Sequence, residues 1–531
     1  NWNQMSKSAI IVGGGIGGLA TAALLAKSGM EVALYEARDQ VGGRAGIWET
    51  KGFRFDMGPS WYLMPDAFDQ FFKLMGTTAA KELELVRLNP AYQTINEGDP
   101  VPLRIWDNLE QNVSTFESIE PGAGARLKDY LHSAEQTYDL AKEYFLYTNF
   151  TNAKPFTNRD VATQAGTFVK HLLTSLDSFA SKHVTDQRLR KILDFPAVFL
   201  GASPYQTPSM YHLMTHIDMN VGVFYPQGGF SSVIAAVKRL AEEHGVKIHT
   251  NSPVTKIEVD ATGQVMGIRL GKELVTADIV VANADLHHVE TKLLSKQHQA
   301  RPQAWWDKRV PGPSALLMYL GVRGELPQLD HHTLLYTKDW KRNFAKVFRK
   351  ADGKSVIPDP GSLYLCKPSS TDPSVAPAGH ENVFVLVPIA ADPAIGSGGV
   401  DGAGDPVVEA AADRVIQQIS EWCNIPDLAE RIVVRRTFAP GDFVSEYNAW
   451  SGTALGMAHT LKQSAFFRPK NVSDKVKGLY FVGHNSIPGI GLPMCLIGAE
   501  LVFKRLTGDG SAGPIEHELT ALPDEAWKAL A

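Results

Sequence analysis

Cysteine is scarce: Cys366, Cys423 and Cys495 are the only three in 531 residues, and they lie far apart. That excludes a disulfide framework, and no C-x-x-C or metal-ligand spacing joins them, so the expected compartment is a reducing cytoplasm. Long apolar runs are also missing. Glycine aside, the longest covers residues 383–391 and contains Pro388. About 20 apolar residues are needed to cross a bilayer, so this run reads as a buried strand. No charge dominates either. The chain has 52 Lys and Arg against 57 Asp and Glu, a formal charge of −5, which argues against nucleic acid as principal partner. Residues 1–4 precede Met5, the expected native start, and show no signal-peptide hydrophobic segment. Any contact with a membrane is therefore expected from its surface. What is present, 44% hydrophobic and 21% charged residues, describes a globular chain with room for two or more domains.

The chain is organised around its first apolar stretch. Ala9-Ile10-Ile11-Val12 runs into Gly13-x-Gly15-x-x-Gly18, and an alanine- and leucine-rich helical pattern starts at once. A second apolar run, 31–35, ends in Glu36, roughly 20 residues beyond the glycines. Each part has a chemical reason. Gly13 permits the tight turn, Gly15 lets backbone reach a pyrophosphate, and Gly18 lets helix and strand pack closely. The helix N-terminus offers N–H groups and positive dipole to phosphates, and Glu36 is placed to accept hydrogen bonds from an adenosine ribose. Arg38, Gly42-Gly43-Arg44 and Asp56-Met57-Gly58-Pro59-Ser60 follow.

From residue 61 to about 215 the apolar residues recur at helical spacing, as in Phe68, Phe71-Phe72 and Leu74-Met75, and later Leu127, Tyr130-Leu131, Tyr138 and Ala141. Phe168, Leu172-Leu173, Leu176 and Phe179 mark an amphipathic candidate with Lys170, His171, Lys182 and His183 nearby. Such a helix suits a lipid surface or simply covers a core. Residues 195–205 read as a buried helix end and a turn. A helix over 233–243, a strand over 246–249, a hairpin-like run over 265–275 and an apolar strand near 277–284 complete a nucleotide-binding sheet. Strands are expected at 314–322 and 382–389, and residues 396–404 read as a flexible glycine loop rather than a phosphate cradle. His331-His332 offers two imidazoles, but no third ligand stands at a fixed spacing, so no metal site is read there.

Near the C-terminus a second strand-to-helix turn appears. Residues 478–482 form a strand ending in Gly483, followed by His484-Asn485-Ser486-Ile487-Pro488-Gly489-Ile490-Gly491-Leu492-Pro493 and a helix. Glycines there let backbone approach an isoalloxazine, and the helix N-terminus stabilises negative charge on it. Two such turns some 470 residues apart suit FAD better than NAD.

The Gly43-Arg44 element resembles that of the flavoprotein superfamily of amine oxidases, protoporphyrinogen oxidases and carotenoid desaturases. With residues 56–60, 224–230, 448–456, 463–471 and the C-terminal turn, the chain resembles the bacterial and fungal type phytoene desaturases. That resemblance implies a Rossmann-like α/β FAD-binding domain of the glutathione-reductase/amine-oxidase type. It comes in three parts, 5–75, 216–295 and 446–508, with a helical substrate and membrane-associating region at 76–215, a mixed sheet-plus-helix substrate domain at 296–445 and a tail at 509–531. It further implies that Gly13, Gly15, Gly18, Glu36, Arg38, Gly43, Arg44, Gly58, Pro59, Ser60, Val254, Gly483, His484, Asn485, Gly491, Leu492 and Pro493 bind FAD. Val254 would meet the adenine. The implied reaction is stepwise dehydrogenation of phytoene towards lycopene, by hydride transfer from an allylic CH₂ to flavin N5 and loss of the neighbouring proton. The implied partners are a carotenoid or isoprenoid substrate, a membrane surface, and a quinone or oxygen as electron acceptor.

The same family contains C30 diapophytoene desaturases, later-stage carotenoid desaturases, ketolases and isomerases. Escort proteins for prenylated GTPases share a related fold without catalysis, and the intact flavin-facing turn argues against that reading. Many family members carry Gly-Thr-His-Pro-Gly where this chain has Asn485-Ser486-Ile487-Pro488-Gly489, so no catalytic histidine is carried over and none is named.

Overall fold

The computed structural model describes residues 6–157, 159–348 and 355–531, so the expectations on residues 1–5 lie outside the described residues. A five-stranded parallel sheet is ordered Leu479–Phe481, Ile279–Ala282, Ser8–Val12, Glu31–Tyr35 and Lys247–His249. Ala9–Val12 of its central strand and Ile279–Ala282 beside it are apolar and buried at every position because both faces are covered. Ala9, Ile11, Ile279 and Val281 pack with the helices Ile16–Lys27, Phe230–Glu243 and Leu492–Thr507. Ile10, Val12, Val280 and Ala282 pack on the opposite side with Ile257, Val265 and Ile268 of a three-stranded antiparallel meander, 256–276. Ile16–Lys27 is buried at every position from Ile16 to Ala26, as befits a helix without a polar face.

A seven-stranded mixed sheet is ordered Ile432–Phe438, Ser314–Arg323, His380–Ile389, Leu363–Cys366, His332–Tyr336, Tyr92–Asn96 and Asp99–Ile105. All its pairs are antiparallel except His332–Tyr336 with Tyr92–Asn96. Alternation splits its two faces. Leu316, Met318, Leu320, Val383, Val385 and Val387 pack with the helix Pro406–Trp422, while Ala315, Leu317, Tyr319 and Phe384 face the other core. Pro388 is tolerated because Leu363–Cys366 pairs only with residues 384–386, leaving its nitrogen off the ladder on that side.

Three readings are corrected. Residues 85–105, included in the helical span, form the strands Leu85–Arg87, Tyr92–Asn96 and Asp99–Ile105. Two of them extend the seven-stranded sheet, where cross-strand pairing overrides local periodicity. The amphipathic candidate is two helices, Arg159–Leu173 and Leu176–Ser181, because Ser175 leaves helical geometry and its hydroxyl accepts from the Ser178 N–H. The glycine loop 396–404 is stitched rather than free. Gly398 N–H donates to Asp442 (2.7 Å), Gly399 N–H to Thr437 (2.9 Å) and Ser397 N–H to Asp405 (2.8 Å). A Cβ on Gly398 would lie 2.1 Å from the Thr437 carbonyl oxygen.

Candidate active site

The carboxyl ends of the parallel strands open on one continuous cavity of about 850 Å³ that runs on to the inner face of the seven-stranded sheet. At its first end the two glycine-containing loops meet. Gly42 N–H donates to the Gly14 carbonyl (2.8 Å), and Gly42 and Gly43 both take positive φ. This brings Arg44 beside the turn that begins the first helix. Gly18 does not reach the cavity. A Cβ there would sit 2.1 Å from the Gly13 carbonyl oxygen, so its role is the close helix–strand approach the motif requires. At Gly15 a Cβ would lie 2.9 Å from the Asn283 amide.

Glu36 is held by two backbone donors, Gly14 N–H to one oxygen (2.7 Å) and Arg38 N–H to the other (3.1 Å). Ser252 N–H donates to its carbonyl (2.8 Å) and Asn251 N–H to that of Arg38 (2.8 Å), so Val254 comes to the same wall. Arg38 pairs with Glu446 at 3.2 Å, and both Arg38 and Arg44 lie over the Tyr447 ring, 5.0 and 5.2 Å from its centre. Burial lowers the Arg44 pKa and raises that of Asp285, and the attraction between the two opposes both shifts.

At the far end, Gly491 at φ +106° begins the helix Leu492–Thr507, with Pro493 in its first turn. Asn485 accepts from Met457 N–H (2.8 Å) through its side-chain oxygen, and Arg468 Nε donates to the His484 carbonyl (3.1 Å). Burial and the cations Arg44 and Arg468 hold His484 well below the usual imidazole range, hence neutral.

Of the seventeen residues read from sequence as cofactor-binding, all but Gly18 line this cavity. The donor set fits FAD. Arg38 Nη1, Arg44 Nε and Asn485 Nδ2 are buried donors without a protein partner, suited to phosphate and flavin acceptors.

Sequence reasoning missed several neighbours. With its amide oxygen towards the first helix, Asn283 accepts from Gly18 N–H (3.1 Å) and Gly15 N–H (3.2 Å) and donates to the Val482 carbonyl (3.1 Å), tying both turns together. Its place, one residue past a buried parallel strand, was the available signal. His459 packs over Gly489, where a Cβ would lie 2.3 Å from the ring. Its Nδ1 meets the Tyr211 hydroxyl at 3.0 Å and its Nε2 accepts from Ile490 N–H at 3.4 Å. A histidine thus stands against the flavin-type loop although that loop carries none at 486–489.

Beyond this junction the cavity turns apolar. Leu63, Met64, Phe195, Val198, Met210 and Leu317 form part of its wall, drawn from the first flavin-type segment, the helical region and the sheet.

The profile of the flavin-containing amine oxidoreductases matches residues 16–500. A carotenoid 3,4-desaturase of Haloarcula japonica is 41% identical over 500 residues, covering 94% of this chain and 98% of that protein. The chain belongs to the carotenoid desaturases of this family. A zeta-carotene-forming phytoene desaturase of Myxococcus xanthus is 32% identical, covering 94% of this chain and 93% of that one. Among solved structures, an oxidoreductase from Methanosarcina mazei shares the fold at a TM-score of 0.59 and 20% identity, covering 94% of this chain and all of the other. This carotenoid desaturase is therefore an FAD-dependent oxidoreductase acting on CH–CH groups. No helix among its described residues is long and apolar enough to cross a membrane.

Proposed function

We propose that the protein introduces double bonds late in the desaturation of a long acyclic carotenoid, on a substrate that is already coloured, as in 3,4-desaturation. The observation that carries this is the 41% identity to a carotenoid 3,4-desaturase, against 32% to a phytoene desaturase. Stepwise conversion of phytoene towards lycopene is the second reading, which the latter relative favours.

Bound FAD supplies the acceptor for a hydride leaving an allylic CH₂. The Gly13–Gly15 turn with Arg38 and Arg44 would hold the phosphates, Glu36 the ribose, Val254 the adenine and residues 483–493 the flavin end. The apolar wall from Leu63 to Leu317 orders the polyene and keeps water from it, so positioning supplies much of the rate. The proton leaves the carbon next to the hydride donor, where conjugation to the polyene makes it acidic enough to pass to a weak base or a water molecule. Tyr211 and His459, at the junction of the polar and apolar halves, orient the substrate at that point.

The substrate does not dissolve in water, and the cavity mouth suits a membrane surface. Phe150 and Ala465 line the cavity, Phe150 packs edge-on against Phe466 at 5.9 Å, and Phe466 and Phe467 are 53% and 57% exposed. On the helix Arg159–Leu173, Val169 and Leu173 are also exposed. These side chains enter the headgroup layer of a cytoplasmic membrane face, and a quinone or oxygen reoxidises the cofactor.

The test is to supply FAD-loaded protein with phytoene or with lycopene in liposomes, with and without a quinone, and to follow the visible spectrum. A red shift from lycopene with no colour from phytoene supports the late step. A three-banded spectrum growing from phytoene moves the assignment to the second reading.

A further inference from the structure

His331 and His332 have no third ligand near them in sequence, yet they meet one in space. The strands His332–Tyr336 and Leu363–Cys366 run antiparallel with His332 directly opposite Cys366. The ligand atoms of His331, His332 and Cys366 lie within 4.8 Å of one another, and all three residues are buried. Each imidazole is oriented through Nδ1, His331 on the Thr371 hydroxyl (2.7 Å) and His332 on the Tyr364 hydroxyl (2.6 Å). Both Nε2 atoms are left buried without a hydrogen-bond partner. Trp61 stacks flat on His332, with ring centres 3.8 Å apart.

A buried ring nitrogen without a partner costs free energy. An imidazole fixed by a hydrogen bond on one nitrogen, with the other bare and a thiol alongside, has the arrangement of a metal ligand. We propose that His331, His332 and Cys366 bind a borderline-soft divalent cation, with zinc as its type, through two Nε2 atoms and the Cys366 thiolate. Binding releases the thiol proton to solvent, and a water completes the fourth position. Bonds of about 2.0 Å to nitrogen and about 2.3 Å to sulfur in a tetrahedron set the donors about 3.3–3.5 Å apart, so the ion draws the three side chains together. Tyr364 and Trp61 both line the large cavity, so the ion stiffens the wall that holds the substrate. The role is structural and does not rest on which carotenoid is desaturated.

The FAD-loaded full chain, expressed with zinc in the medium and purified without chelator, is expected to carry about one zinc per chain by inductively coupled plasma mass spectrometry. Cys366→Ser and His331→Gln should each lower that content by about tenfold or more, while Cys423→Ser, at another buried cysteine, keeps it. Because a buried variant can fail to fold, Co²⁺ added to metal-free wild type gives a second readout, a thiolate-to-cobalt charge-transfer band in the near ultraviolet. Wild type that carries no zinc and shows no cobalt band overturns the site. So does metal bound equally by folded Cys366→Ser.

Discussion

The five-stranded and seven-stranded sheets each wall one half of the same cavity, by opposite means. In the parallel sheet, the cavity residues cluster just past strand ends: Gly13 and Gly15 after Ser8–Val12, Glu36 after Glu31–Tyr35, Asn283 after Ile279–Ala282 and Gly483 after Leu479–Phe481. Strand ends that share a direction converge on one edge, so a short local motif is enough to build a pole of the site. In the mixed sheet, cavity residues lie on the strands themselves. Ala315 and Leu317 lie opposite Pro388 and Leu386 across an antiparallel ladder. There the site depends on register, which nothing local announces. On the proposed reading, a motif holds the cofactor and a register holds the substrate.

Gly15→Val breaks the first half with the largest effect. The side chain would collide with the Asn283 amide and fill the pyrophosphate approach, so the purified protein is expected to be colourless, with its flavin-to-protein absorbance ratio near zero. Full retention of flavin would remove that loop from the site.

Leu317→Trp breaks the second half alone. Flavin content should stay at the wild-type level while carotenoid turnover in liposomes falls about 100-fold, because a misplaced substrate forfeits positioning. Loss of flavin together with turnover would mean that the two halves do not separate.

Glu500→Gln probes the helix that both halves share, Leu492–Thr507. Burial pushes the Glu500 carboxyl up to about 7 from its ordinary 4.5, although Gln70 donates to it at 2.7 Å and Lys504 lies near. Folding therefore favours its protonated form. That contribution is complete below the unfolded value of about 4.5 and is lost as pH rises through about 7, a difference of about 3 kcal/mol. The wild-type unfolding midpoint is expected to fall between pH 5 and pH 8, and Glu500→Gln should flatten that slope in thermal melts. An unchanged slope would take Glu500 out of the account.

Glu36→Ala should have the smallest effect, about tenfold weaker FAD binding by fluorescence titration, from lost hydrogen bonds of about 1.4 kcal/mol. Unchanged affinity would remove Glu36 from the ribose site.

The sequence by itself determined whatever depends on a residue's own backbone and immediate neighbours. Gly13 must take φ +98°, Gly18 cannot carry a Cβ, and the apolar strand before them has to be buried on both faces. These demands act within a turn, so they are written contiguously. Tertiary structure decided what depends on partners far along the chain. Tyr92–Asn96 and Asp99–Ile105 became strands because a sheet edge was there to pair with. Asn283 came to tie Gly15 to Val482, and His459 came to lie over Gly489, 30 residues on. Cys366 reached His332 only through an antiparallel register, whose two-residue period decides which side chains share a face.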